Sequence, residues 1–300
     1  MRIVAVVLNW RRPDDTIACV RSLAETAPDT QVIVVDNASG DGSVDRLRVE
    51  LTDVTLLESD ANLGYAGGNN LGIHAALDAG AGAVLILNND VMVQPGCVQL
   101  LADTAARRDT PAILTPLSLS AEQPGTIDHF RTRVDLRNVA LLAEGRGEPR
   151  DAVYATEPMI ADYATGSALL APAGLLERLG GFDERFFLVW EDVDLSLRAR
   201  AQGGEVVLVP TAEVLHRGGV SFGEQRAASP LYQYFFVRNS FLIVRKHVRW
   251  PFKTATLRRI ERRYRGWVEA AEPAVARAIG RGIDDGLAGR YGPAPEGLVP

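Results

Sequence analysis

Along the first hundred residues, short apolar runs alternate with segments whose apolar positions recur at helical spacing. Residues 2–8, 31–35, 54–58 and 83–87 read as strands. Between them, 14–25 sets Ile17, Val20, Leu23 and Ala24 on one helical face, and Ser43 can cap a helix running to Leu51. Residues 69–79 form a helix closed by Gly80, and 98–107 a helix introduced by Pro95 and Gly96. This alternation predicts an α/β fold with a mostly parallel sheet and helices on both faces. Ligands of such sheets bind beyond the carboxyl ends of the strands. Polar residues stand at those ends: Asn9 after the first strand, Asp36 after the second, and Asn88, Asn89 and Asp90 after the fourth.

The second half has another rhythm. Residues 113–119, 164–171 and 206–209 read as strands, 213–216 as a short extended piece, and 173–179 and 191–202 as helices. Residues 120–158 carry weak periodicity and many charges, glycines and prolines, which predicts a long, partly mobile excursion with a strand or two. From Leu231 a helical pattern continues with breaks to Ala288, and 289–300 is expected to be disordered. The predicted organisation is a catalytic domain over 1–230, split into halves at 118/119, and a C-terminal helical region over 231–288.

Composition narrows the class. The 300 residues are 47% hydrophobic and 23% charged, ordinary for a globular protein that buries a large core without staples. Cys19 and Cys97 lie far apart and in no metal-ligand spacing, so two buried helical thiols are expected, in keeping with a reducing cytoplasm. No apolar run reaches the length of a membrane span, and the chain opens directly on a strand pattern instead of a leader. The net charge of −6 is unevenly spread: residues 238–265 hold ten Lys/Arg and one acid, Glu261. That segment suits an anionic membrane, an anionic acceptor or a second subunit, and equally a solvated face packed on an acidic body. Nothing in the sequence points to nucleic acid.

Five motifs can carry chemistry. Asn88-Asn89-Asp90 closes a strand with oxygen ligands that suit Mg2+ or Mn2+, although the same triplet is good turn chemistry. Trp190-Glu191-Asp192-Val193-Asp194 sets three acids after an aromatic run, where a carboxylate beside a desolvated surface can act as a base and where helix capping also favours acids. Asp36 opens a loop of turn formers and can accept from a pyrimidine ring nitrogen. The stretch from Asn62 to Gly72 offers glycines for close backbone approach and a helix N-terminus for an anion, yet matches neither a P-loop nor a dinucleotide fingerprint. His216 closes a strand and opens a loop through Arg217, Gly218 and Gly219.

In this order, the motifs resemble family 2 glycosyltransferases with the GT-A fold, in the rhamnosyltransferase-like and galactofuranosyltransferase-like branch. The resemblance runs from Arg2 to about His247 through Val35-Asp36-Asn37-Ala38-Ser39, Asn62 to Asn70, Leu87 to Asp90, Thr165-Gly166-Ser167, Gly180 to Glu184, Trp190 to Leu195 and His216 to Gly219. It implies an inverting transfer from a nucleoside-diphosphate sugar, with dTDP-L-rhamnose or a related deoxysugar favoured and UDP-sugars next. It also implies an acceptor-binding second half, over 119–230, for a glycan, a lipid-linked intermediate or a small natural product. Asn9, Asp36, Asn37, Asn62, Gly67, Asn70, Asn88, Asn89 and Asp90 would line the donor, with Asp36 on the base. Asn88 stands where the family's metal motif begins with an acid, so Asp90 is its one carboxylate ligand and His216 the second protein ligand. Asp192 would be the base, Glu191 an acceptor-hydroxyl contact, and Trp190, Gly166 and Ser167 parts of the acceptor platform. The expected place is the cytoplasm, at or near the inner membrane face. Two rivals remain: a catalytically silent sugar-nucleotide binding module, which intact Asp90, Asp192 and His216 disfavour, and a nucleotidyltransferase, which should carry glycines in the loop after the first strand where Asn9-Trp10-Arg11-Arg12-Pro13 has none.

Overall fold

The structure, a computed structural model, describes residues 1–152, 155–217, 228–295 and 297–298. The first part of the chain runs β1 (Ile3–Asn9), α1 (Pro13–Thr26), β2 (Gln31–Asp36), α2 (Ser43–Glu50), β3 (Thr55–Glu58), α3 (Gly64–Asp78), β4 (Ala83–Asn88), β5 (Val91–Val93) and α4 (Cys97–Ala106). It continues with β6 (Ala112–Ser120), β7 (Ile127–His129), β8 (Arg131–Asp135), β9 (Ala140–Glu144), β10 (Met159–Ile160), β11 (Ala168–Pro172), α5 (Ala173–Leu179), α6 (Glu191–Ala201) and β12 (Glu205–His216). Three helices close the chain: α7 (Pro230–His247), α8 (Phe252–Ala270) and α9 (Pro273–Ala288).

The central sheet is α/β as expected but mixed in direction. Its order is β10-β12-β6-β11-β4-β1-β2-β3, with β5 on β12 and β7 on β6. The block β4-β1-β2-β3 is parallel, as is β12 on β6; β11 runs antiparallel to both β4 and β6 and joins the two blocks. The alternation of strand side chains builds two cores. Ala5, Val7, Leu85 and Leu87 pack on Ile17, Val20, Leu23, Leu47 and Leu101, while Val4, Val6, Val84 and Ile86 pack on Ile73, Ala76, Leu176 and Leu195 from α3, α5 and α6. Each such fully buried Val, Leu or Ile contributes about 1.5–3 kcal/mol. Both thiols are buried, Cys19 in α1 and Cys97 at the start of α4.

Four local readings change. The helix expected from Asn69 begins at Gly64, because packing overrides the low propensity of its glycines. A Cβ on Gly72 would lie 2.3 Å from Val6, one on Gly68 2.5 Å from Leu8, and one on Gly64 2.4 Å from the Phe187 carbonyl. The glycines therefore admit β1 and the Phe187 loop, where the sequence suggested a ligand. Residues 206–209 and 213–216 belong to one strand, β12, whose register shifts between Val209 and Glu213 around Pro210, which has no N–H to donate. The excursion 120–158 contains β7 paired to the main sheet and the β8–β9 hairpin. Residues 289–295, expected to be disordered, fold back instead: Arg290 pairs with Asp285, and the Gly292 N–H donates to the Arg185 carbonyl.

The segment from Phe186 to Trp190 carries the least ordinary backbone. Phe187, Val189 and Trp190 all have positive φ, at 62°, 70° and 78°, a conformation that costs L-residues about 1–3 kcal/mol each. Two buried neighbours on α7 hold it. The Asn239 amide donates to the carbonyls of Phe186, Leu188 and Val189 at 2.9, 2.8 and 2.8 Å. The Arg238 guanidinium donates to the carbonyls of Phe186, Arg185 and Gly292 and stacks on Phe235. Arg238 is 0% exposed, so it drops out of the basic surface read from the sequence. Asn239→Ala is expected to lower unfolding stability by about 2–4 kcal/mol through the orphaned carbonyls, and to lower turnover at temperatures where the variant is fully folded. Denaturant titration together with steady-state rates checks both, and an unchanged rate in the folded variant would contradict the second.

Candidate functional site

The parallel register brings the strand ends together: Asn9 lies beside Asp36, and Asn88 beside Leu8. Asp36 is buried and spent inside the protein, accepting from the Asn9 amide at 2.7 Å, the Ser39 N–H at 2.9 Å and the Ser39 hydroxyl at 2.7 Å. Asn9 in turn accepts from Thr16. These two residues brace the 36–39 loop, and neither is among the side chains lining the cleft. Asn37 and Asn62 do line it. Their side chains take up the first N–H groups of the α3 end: Asn37 accepts from Leu63 and Asn62 from Gly64, while the Phe187 carbonyl accepts from Ala66. The helix end is thus largely occupied by protein, against its reading as an anion site. Asn70 and Gly67 are also structural. Asn70 bonds both backbone groups of Phe182 and the Glu184 carboxylate, and a Cβ on Gly67 would lie 2.8 Å from Leu63.

A second corner forms where three strands meet. Asp90 precedes β5, which pairs with the end of β12 so that His216 opposes Val91. His216 Nε2 lies 3.3 Å from Asp90 Oδ1, and His216 Nδ1 lies 2.8 Å from Asp128 Oδ2 on β7. Burial would lower the imidazole pKa, but the hydrogen bonds and charges of Asp128 and Asp90 outweigh it and push it up to about 9. Asp90 Oδ1 is buried without a hydrogen bond of good geometry. That orphaned oxygen faces an imidazole whose other nitrogen is already oriented by a carboxylate, the outer arrangement usual around metal-bound histidine. A divalent cation would have to displace the Nε2 proton; Asp90 and His216 would then be its two protein ligands, and other oxygen donors would supply the rest. Among the described residues no group of three or more His, Cys, Asp or Glu stands ready to hold a metal alone. Asn88 and Asn89 line the same side of the cleft; the Asn89 amide donates to Thr16 at 3.1 Å, and the Asn88 carbonyl accepts from Cys19. Gly218 and Gly219 lie outside the described residues.

The third corner sorts the three acids after Trp190. Asp194 turns into the core, where Arg198 of its own helix and Lys246 and His247 at the end of α7 surround it. Burial raises its pKa, but the His247 hydrogen bond and the two cations outweigh that and hold it below the usual carboxylate range. It ties α7 to α6. Asp192 faces the cleft and accepts from the Gly166 N–H at 2.9 Å and the Val193 N–H at 2.7 Å. Glu191 lines the cleft too, with Oε2 buried and unpartnered. Burial, with the Asp192 charge beside it, holds the Glu191 carboxyl well above its ordinary pKa. Gly166 and Ser167 bridge the corners: the Ser167 carbonyl accepts from the Asn88 N–H, and the Gly166 carbonyl from the Tyr65 hydroxyl.

All three corners open into one cleft of about 1240 Å³. Its far end is apolar and aromatic, lined by Leu141 of the hairpin, Leu188, Trp190, Phe236 and Trp267, with Arg263 and Arg277 among them. Trp190 is largely covered, its indole N–H on the Phe236 carbonyl; Phe236 stacks on Trp267, which exposes more of its ring. Sequence reasoning missed Asp128, Tyr65 and Asn239. Asp128 sits in the stretch of weak periodicity, and the roles of Tyr65 and Asn239 come from contacts across 101 and about 50 residues. A usable signal for Asn239 was its place beside Arg238 within an apolar helical run.

Comparison with known proteins agrees with this geometry. A family model described as Glycosyl transferase family 2 matches residues 4–131. The chain is similar to the N-acetylglucosaminyl-diphospho-decaprenol L-rhamnosyltransferase of Mycobacterium tuberculosis, 32% identical over 225 residues that cover 69% of this chain and 72% of that protein. It is also similar to the galactofuranosyltransferase GlfT1 of the same organism, 30% identical over 205 residues, covering 67% and 65%. Its fold resembles that of GalNAc-T7 in a crystal structure with UDP, GalNAc and Mn2+, with a TM-score of 0.63 at 14% identity, covering 96% of this chain and 56% of the other. Among the described residues no helix is long and apolar enough to cross a membrane. With a rhamnosyltransferase matched over most of both chains and a GT-A sheet whose strand ends meet in one cleft, the chain belongs to glycosyltransferase family 2 and transfers sugar from a nucleotide sugar.

Proposed function

We propose that the chain is an inverting transferase that moves a deoxysugar, dTDP-L-rhamnose first and UDP-sugars next, onto a hydroxyl of an amphiphilic, lipid-linked acceptor. The observation that carries the reading is the sorting of the acids: Asp192 faces the cleft, Glu191 stands beside it with a buried oxygen that has no hydrogen bond, and Asp194 is locked away in the core. The name of the rhamnosyltransferase relative favours the donor, and the apolar end of the cleft favours an acceptor with a hydrocarbon part.

Asp192 takes the proton of the acceptor hydroxyl as that oxygen attacks the anomeric carbon. The bond from that carbon to the diphosphate breaks on the opposite face, and the configuration inverts. The Gly166 and Val193 N–H groups hold the Asp192 carboxylate in one orientation, so little is lost to rearrangement on the way to the transition state. Glu191 donates to a second acceptor oxygen and fixes which hydroxyl reaches Asp192. Asp90 and His216 would hold a divalent cation, Mg2+ or Mn2+, which when bound neutralises charge on the leaving diphosphate. Asp128 positions His216 by accepting from Nδ1. Asn37 and Asn62 meet the nucleoside, and Asp36 acts behind them by bracing its loop.

Asp192→Asn is expected to lower kcat by about 10²–10⁴-fold, the usual contribution of a general base, while the donor Kd from calorimetry stays within about twofold. Near-normal turnover would remove Asp192 from that place. Chelation is expected to stop transfer and added Mn2+ to restore it; full activity after rigorous chelation would remove the metal. Asp128→Asn is expected to weaken Mn2+ binding about 10–100-fold, read by the electron paramagnetic resonance of free Mn2+ in the presence of dTDP. Unchanged Mn2+ affinity would contradict the positioning place given to Asp128.

A further inference from the structure

The turn between α7 and α8 carries the two most exposed aromatic side chains among the described residues, Trp250 at 79% and Phe252 at 65%. Trp and Phe that make no core contact cost solubility unless something else receives them. Around this tip lie cations that the fold leaves uncompensated. Arg249, Arg258 and Arg262 are exposed and have no carboxylate partner among the described residues. Lys253 and Arg259 reach only oxygens of Arg245, Arg137 and Asn138, which carry no negative charge. Glu261 is the acid within this run, and it is engaged by Arg265.

The helix α8 has two faces with different work. Thr256, Ile260 and Tyr264 point into the C-terminal core, and Arg263 and Trp267 line the cleft. Arg258 and Arg262, one helical turn apart, run down the outer face from the aromatic tip. Other basic residues of the segment are used up structurally: Arg238 holds loop carbonyls, Lys246 pairs with Asp183 and Asp194, and Arg245 caps carbonyls at the end of α9. The remaining outward surface is compact, cationic and tipped by aromatics, on a chain whose net charge is −6.

We propose that this tip and the outer face of α8 dock the protein on an anionic lipid bilayer, with Trp250 and Phe252 in the headgroup region and Arg249, Lys253, Arg258, Arg259 and Arg262 over acidic headgroups. Aromatic rings favour the membrane–water boundary, and long cationic side chains reach the headgroups while their stems stay apolar. The negative body is not an obstacle, because its repulsion is screened within about 8–10 Å at physiological salt. A second copy of the chain would bury the aromatics but would set these cations against one another. Since the inner face of α8 lines the apolar end of the cleft, docking here brings that end to the bilayer where a lipid-linked acceptor resides. The docking itself does not depend on which sugar is moved.

The test is flotation of the 300-residue chain with vesicles of phosphatidylcholine alone and with phosphatidylglycerol added, at low and high salt, without donor or acceptor. Binding is expected only to the anionic vesicles and is expected to fall with salt. The bound-to-free ratio should drop at least about tenfold for Trp250→Ala/Phe252→Ala and, separately, for Arg258→Glu/Arg262→Glu. Tm and transfer to a short-chain, water-soluble acceptor should be unchanged in both variants, which separates failure of docking from failure of the catalytic reading. The proposal is overturned by absence of binding at low salt, by equal binding to neutral vesicles, by binding that neither variant alters, or by a dimer that Trp250→Ala/Phe252→Ala dissociates in a chain that ignores vesicles.

Discussion

The site depends on a few hydrogen bonds from α7 to the backbone of one loop. Between Phe186 and Trp190 the chain adopts positive φ at three residues with side chains, a state that an isolated peptide would leave at once. Asn239 and Arg238 hold it by occupying the carbonyls that such a path exposes. The result is that α6 starts abruptly, with Glu191 and Asp192 in its first turn facing the cleft and Asp194, two positions on, facing the core. A helix that started one residue earlier or later would turn each acid by about 100° and exchange their places. The ion pairs of Asp194 with Lys246 and His247 tie the same helix back to α7, so α7 both shapes the loop and anchors the helix that the loop leads into.

Among the described residues two buried carboxyl oxygens lack a hydrogen bond of good geometry: one on Asp90, 3.3 Å from the His216 imidazole, and one on Glu191. An unsatisfied buried acceptor costs about 1–3 kcal/mol, and a fold retains it where a ligand supplies the missing partner. At Asp90 the surroundings are a carboxylate-oriented imidazole, which suits a cation on a diphosphate. At Glu191 burial and a neighbouring charge raise the carboxyl's pKa and leave one oxygen open, which suits a hydroxyl. The Thr165-Gly166-Ser167 turn links them through backbone groups bonded to Asn88 on one side and Asp192 on the other, so the two corners are held at a fixed spacing.

Much of the donor half was legible in the sequence because local and global preferences agree there. The strand runs, their helices and the polar residues at the strand ends emerge from periodicity and position. The polarity of the second half was not, since β11 reverses direction by a contact with β4 that no local pattern encodes. The start of α3 was set too late because glycines that read as loop serve close packing on Val6 and Leu8. Which residues face a ligand was harder still. Asp36, Asn37 and Asn70 stand at the right place in sequence, yet their polar atoms also bond neighbours that no local pattern predicts, and Arg238, counted among the surface cations, is fully buried. Asp128 could not be found by spacing, because it meets His216 only when β7 and β12 pair on either side of β6.

If Asp192 as base drives one displacement at the anomeric carbon, the stereochemistry of the product reads it directly. With the nucleotide sugar that most raises Tm in the presence of Mn2+, proton NMR of the freshly formed glycoside should show the anomeric configuration opposite to that of the donor. A product with the donor's configuration retained would contradict the account.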